Sequence, residues 1–179
     1  MVREWVPISS SAKGRLALRA LEDFGRKGFE AVNVVDVAAA AGVTTGSLYH
    51  HFGSKVGLYT FVRAEAERRL LDRMEGAAAA TQAAAGRAAA VQAALLIGFD
   101  FATDQGFTRL LGEPHPTRRD DPLADVLAEL CDGGRTPIAD MLAGAWRAAL
   151  AAVAEGTPVE AAREALAAVT VDEAVLRAR

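Results

Sequence analysis

Residues Thr44, Thr45, Gly46, Ser47, Tyr49 and His50 bring hydroxyls, a phenol and an imidazole into one short stretch. On a helix that buries Leu48 and Phe52, which lie four apart, this set forms the opposite, polar side. Such a side offers hydrogen bonds to base edges and phosphates, and the helix N-terminus adds bare N–H groups aimed at phosphate. No arginine lies in the stretch, so the bidentate contact to guanine O6 and N7 is missing. Readout would rest on hydroxyls, thymine-methyl contacts and DNA shape. Other chemistry is thinner. His50 and His51 are adjacent, point in different directions on a helix and have no third ligand nearby, so no metal is expected. Cys131 with His115 is the one candidate nucleophile and base, but it lacks a local signature, and a lone cysteine at a helix end is usually a small buried hydrophobe. No Gly-rich phosphate loop occurs. Neither a catalytic residue nor a cofactor is expected.

The elements that must hold this polar side are all helical. Leu16, Ala17, Ala20, Leu21 and Phe24 make one apolar face of a helix starting at Ser11, with Gly28 as a stop. Asn33 is a fitting N-cap for a second, short helix over Val34–Ala41, with Asp36 in its first turn. Gly42 breaks that helix, Val43 plugs the angle, and Thr44 or Thr45 caps a third helix running to about His51. Two short helices joined by a Gly-containing turn are the helix-turn-helix layout. A fourth helix runs from Ser54 toward Met74. Further helices are predicted at 87–103, 107–111, 123–130 (closed by Gly133-Gly134), 137–155 and 159–169, with a Pro-rich loop over Gly112–Pro122.

Composition agrees. The chain is 51% hydrophobic, rich in alanine and poor in aromatics, which favours an all-α core over sheet. Net charge is −3, but residues 1–74 carry 11 Lys/Arg against 8 Asp/Glu, and residues 75–179 carry 9 against 15. That asymmetry suits a DNA-facing head on an acidic body. One cysteine excludes an internal disulfide. The start lacks a secretory h-region, and no unbroken apolar run reaches the ~18 residues of a spanning helix, Ala77–Phe99 coming nearest. No membrane association and a cytoplasmic location are expected.

Residues 12–62 resemble the DNA-binding region of the tetracycline-repressor (TetR) family. The resemblance is carried by Phe24-Gly25-Arg26-Lys27-Gly28-Phe29, by the run from Ala41-Gly42-Val43-Thr44-Thr45-Gly46 through Ser47-Leu48-Tyr49-His50-His51-Phe52, and by Ser54-Lys55. It implies that Thr44, Thr45, Gly46, Ser47, Tyr49 and His50 face bases and phosphates of double-stranded DNA, with Lys55 on a phosphate. His51 is expected to face the protein. Two departures stand out. The family often has a phosphate-binding Thr before helix two, a contact that here falls to Asn33. Val56 and Gly57 replace the acidic residue that commonly follows Ser-Lys, which predicts a looser first turn of helix four, by ~1 kcal/mol. Arg3, Lys13 and Arg15 are further candidates for backbone or minor-groove contact, although solvated charge is the simpler reading.

The resemblance also implies a flexible arm at 1–10, a helix-turn-helix domain at 11–54 and a helical effector-binding and dimerisation domain at 55–179. The helix from 54 to about 74 would connect the two. Phe99, Phe107, Leu110, Leu111, Met141 and Trp146 are the candidate lining for a small apolar or amphipathic effector, with Asp100, Arg109 and His115 as polar fixtures. Ile138, Leu142, Ala145, Ala149, Val153 and Leu166 are the candidate homodimer interface, because small residues let helices approach closely. The expectation is a repressor released from a pseudo-palindromic operator by its effector. A regulator controlled by a protein partner, or a small-molecule carrier with a vestigial head, are the alternatives.

Overall fold

A computed structural model describes residues 10–131, 137–173 and 176. Arg3 with most of the arm, and Gly133-Gly134, lie outside the described residues. Among the described residues the fold is all-α. The Ser11 hydroxyl accepts from the Gly14 N–H (2.9 Å) and starts α1 (Ala12–Ala31). Leu16, Ala17, Ala20, Leu21 and Phe24 are fully buried on one face, as their spacing requires. Gly28, the predicted stop, breaks the helix at φ 77°, and the chain makes one more turn before extending. Asn33 caps α2 (Val34–Ala40) through Oδ1 and the Val35 N–H at 2.9 Å. Gly42, at φ 65°, turns the chain, and Thr44 caps α3 (Thr45–Phe52).

Helix α4 (Lys55–Asp104) is interrupted at Gly86, where φ is 86°. The first half does not end near Met74 as predicted, because the alanines that follow have the highest helix propensity and sustain it to Gly86. There the chain reverses. Gly98 lies against Met74 and Leu70, and a Cβ on it would sit 2.9 Å from Met74 Sδ. In a straight helix residues 74 and 98 would be ~36 Å apart. The second half is capped from a distance: Glu173 Oε1 accepts from the Ala88 N–H at 2.8 Å.

The first turn of α4 keeps one side-chain cap. The Ser54 hydroxyl accepts from the Gly57 N–H at 2.9 Å, supplying the cap that the missing acidic side chain would have shared. Gly57 is itself required, since a Cβ there would overlap the Phe52 carbonyl oxygen. The body is completed by α5 (Thr108–Gly112), α6 (Pro122–Cys131), α7 (Pro137–Ala154) and α8 (Val159–Ala167). Averaged over a window, α4 and α7 are long and apolar enough to cross a bilayer, unlike the reading by unbroken runs. In α7 that character belongs partly to the core, where Leu142, Trp146 and Leu150 are buried and Trp146 Nε1 donates to the Leu95 carbonyl at 3.1 Å.

Candidate nucleic-acid interface

Helix α3 is held from beneath by Leu48, which is 0% exposed, and by Phe52 against Phe61 (ring centroids 5.3 Å apart). Its other side faces outward. Thr44, Gly46, Tyr49 and His50 are exposed, Tyr49 at 49%, and Thr45 and Ser47 are half-buried. Thr44 has a second duty, because its Oγ1 accepts from the Ser47 N–H at 3.1 Å. Asn33 is exposed at the head of α2 and likewise divides its side chain between the cap and solvent. His51, expected to face the protein, is exposed beside His50, with the rings 5.2 Å apart. The helix ends one residue later and Gly53 turns the chain at φ 74°, so no neighbouring helix covers that position. Val35, 54% exposed on α2, is a further outward group that polarity alone would not reveal.

The cations split into two kinds. Arg15 Nε donates to the Ala41 carbonyl at 3.0 Å, closing the C-terminal end of α2, and Nη1 donates to the Ser10 carbonyl at 2.7 Å. Arg15 therefore fixes the turn. Lys55 Nζ donates to the Glu30 carbonyl at 3.1 Å and lies 4.6 Å from the Phe29 ring centre, and Lys13 Nζ lies 4.7 Å above Phe61. Both ammonium groups are held at the edge of the head. Behind them Asp23, 1% exposed, is gripped by Arg19 at 2.8 Å, Lys27 at 3.0 Å and Arg26 at 3.4 Å. Burial alone would raise its pKa, but the bonds from Lys27 and Arg19 outweigh burial and hold it below 3.8.

Tyr59, Arg63, Glu67 and His115 form a network that spacing did not reveal as one unit. Arg63, 3% exposed, donates from Nη1 to Tyr59 Oη and the Glu113 carbonyl (both 2.7 Å), and from Nε to Glu67 (2.8 Å). The i,i+4 spacing of Tyr59, Arg63 and Glu67 was the available signal. His115 Nδ1 accepts from the Arg118 N–H at 2.9 Å and the Thr117 N–H at 3.2 Å, so Nε2 carries the proton and donates to Thr60 Oγ1 at 3.2 Å. Cys131 is buried on α6, and burial raises its thiol.

Five of the six apolar residues expected around an effector pack in the core and the sixth lies outside it. Phe99, Phe107, Leu110, Leu111 and Trp146 are buried in the core, and Met141 is 68% exposed on α7. Asp100 is tied to Arg163 at 2.7 Å, and Arg109 reaches the Ala154 carbonyl at 2.9 Å. Among the interface candidates Leu142 and Leu166 are buried within the protomer, and Ile138, Ala145, Ala149 and Val153 are half-buried.

The model for the bacterial regulatory proteins of the tetR family matches residues 19–60. The HTH-type transcriptional repressor KstR2 of Mycobacterium tuberculosis H37Rv is 46% identical over 46 residues, covering 26% of this chain and 23% of that protein. The HTH-type transcriptional regulatory protein RaaS of the same strain is 48% identical over 48 residues, covering 27% of this chain and 22% of that protein. The chain thus matches less than a quarter of the length of these curated relatives. A crystal structure of a Rhodococcus sp. protein assigned to the TetR-family transcriptional regulators superposes with a TM-score of 0.50. It is 16% identical and covers 88% of this chain and 95% of that one, a likeness of fold alone. Over its helix-turn-helix head, residues 19–60, the chain is therefore similar to the bacterial regulatory proteins of the tetR family.

Proposed function

We propose that the chain is a cytoplasmic transcriptional repressor that binds a pseudo-palindromic operator as a homodimer and is released by a small-molecule effector. The observation that carries this reading is the division of α3. Leu48 is wholly buried, while Thr44, Gly46, Tyr49 and His50 are presented outward on a helix capped at its N-terminus. A capped, anchored helix with a polar outer side is what entry into a major groove requires. Asn33 adds a phosphate contact at the head of α2, and Lys55 a cation at the edge of the head. Two heads serve a two-fold site, and the half-buried Ile138, Ala145, Ala149 and Val153 of α7 offer small side chains for the partner's helices.

The test is a fluorescence-anisotropy titration of the full chain against the DNA flanking its own gene and against a scrambled duplex, at several salt concentrations. We expect a preference of ~10³-fold or more that survives physiological salt. Equal, weak binding to both duplexes that vanishes with salt would reduce the interaction to backbone attraction and overturn the reading.

A further inference from the structure

A cavity of about 200 Å³ opens between α4, the 113–121 segment and α7, and four of its lining residues are arginines: Arg63, Arg118, Arg119 and Arg147. It is smaller than the roughly 300–1,000 Å³ that takes drug-sized ligands. Its wall also carries Asp120 and Asp121. Asp121 is committed to Arg147, with one Nη1–Oδ2 bond at 2.7 Å. Glu67, behind the wall, is shared by Arg63 and Arg118 at 2.8 Å each. Three carboxylates therefore face four guanidiniums, each with five N–H donors and no acceptor.

The excess shows in individual groups. Arg119 is exposed at the rim and makes no ion pair among the described residues. Arg118 Nε is buried without a hydrogen bond among the described residues, because the Asp120 carboxylate 3.2 Å away lies off its N–H direction. Arg63 is almost wholly buried, fixed through Nε and Nη1, and its Nη2 has no partner among the described residues. A buried guanidinium locked by three acceptors is pre-organised, and forked N–H pairs match the two oxygens of a carboxylate or phosphate.

We propose that this cavity binds a small organic oxyanion, carboxylate or phosphate, and that this anion is the effector of the regulator described above, a role that rests on that reading. It takes the place of the apolar ligand that the bulky residues had suggested. The path to the head runs through Glu113. Its carbonyl accepts from Arg63, while its carboxylate accepts from the Phe29 N–H at 3.4 Å and lies against Gly28, where a Cβ would come within 2.5 Å. An anion that draws Arg63 toward the cavity weakens the hold on Glu113 and so on the C-terminal end of α1. Operator and anion then oppose each other in proportion to the anion's differential affinity for the two head positions.

Calorimetric titration of the full chain, without DNA, with phosphate, sulfate, succinate and citrate in turn tests the site. At least one should bind saturably, and which of them does so separates phosphate from carboxylate recognition. Arg119→Ala, which removes an exposed side chain with no ion pair among the described residues and leaves the fold intact, should weaken that binding about tenfold or more. Tyr49→Ala, in the head, should leave it unchanged. No saturable binding by any of the four, or equal binding by Arg119→Ala, overturns the proposal. The bound anion should also lower operator affinity in the anisotropy assay, and less so in Arg119→Ala. Anion binding without operator preference would leave the site standing and sink the regulator reading with the effector role. Operator preference without anion binding would do the reverse.

Discussion

Leu48 and Tyr49 sit on the same turn of α3, one fully buried and one half exposed, so truncating each separates folding from recognition. Leu48→Ala leaves a cavity under the helix and should cost about 2–5 kcal/mol in a thermal or denaturant melt, with operator binding lost alongside. Tyr49→Ala should leave the melt unchanged and weaken specific binding by about tenfold, the scale of one lost groove contact. An unaltered affinity in Tyr49→Ala would remove that residue from the interface. Asn33 and Thr44 belong to both classes, since each caps a helix while its side chain stays exposed. Ser at position 44 would keep the cap and lose only the methyl group.

The junction of α3 and α4 depends on a residue with no side chain. A Cβ at Gly57 would overlap the Phe52 carbonyl, and neither partner can yield without moving the end of α3. Gly57→Ala should therefore destabilise the fold by about 1–3 kcal/mol and weaken operator binding, although alanine is the better helix former. Gly76→Ala is the matched control, because nothing lies within 4 Å of its Cβ position. There the gain in helix propensity acts alone, and a stabilisation of about 0.5–1 kcal/mol is expected. Calorimetric melts of the two variants should move in opposite directions, and a rise in Tm for Gly57→Ala would contradict the close approach.

Two groups tie the stability of the whole molecule to pH. His115 is held neutral: burial comes first, then Arg63 and Arg118, and together they lower its pKa below 6.5 despite Glu67 and Asp120. Protonating Nδ1 would also set a proton against the Thr117 and Arg118 N–H donors. The unfolded chain takes up this proton at the ordinary value, so the stability His115 contributes is present above 6.5 and is lost as pH falls through the lower folded value. Asp23, held below 3.8, loses its contribution in the same direction but in a more acid window. Tm should thus fall in two stages on acidification, and His115→Gln should flatten the first while leaving the second. A single stage in the wild type would mean that the 113–121 segment does not hold His115 as described.

Much of the head was legible in sequence because its determinants are local. Caps at Asn33 and Thr44, the break at Gly42 and the four-residue spacing of Leu48 and Phe52 each act within one helical turn, so neighbouring residue types decide them. The same locality explains why the buried face of α1 could be read directly. What depends on residues far apart in the chain could not be read. A new helix beginning at residue 87 was legible, but its folding back on the first half of α4 was not, because the reversal is secured by Met74 against Gly98 and by Glu173 at the second half's first turn. Nor could the sequence show that Lys55, expected on a phosphate, is held in place by the Glu30 carbonyl and the Phe29 ring. Bulky apolar groups suggested an apolar pocket, yet five of the six fill the core, while arginines from three separate segments line a cavity. Neighbouring residue types sufficed for the helices of the head and for the polar side that α3 carries. Only the tertiary structure decided which cations are spent on carbonyls and which gather around a cavity, because charge pairing depends on distance in space and not on distance along the chain.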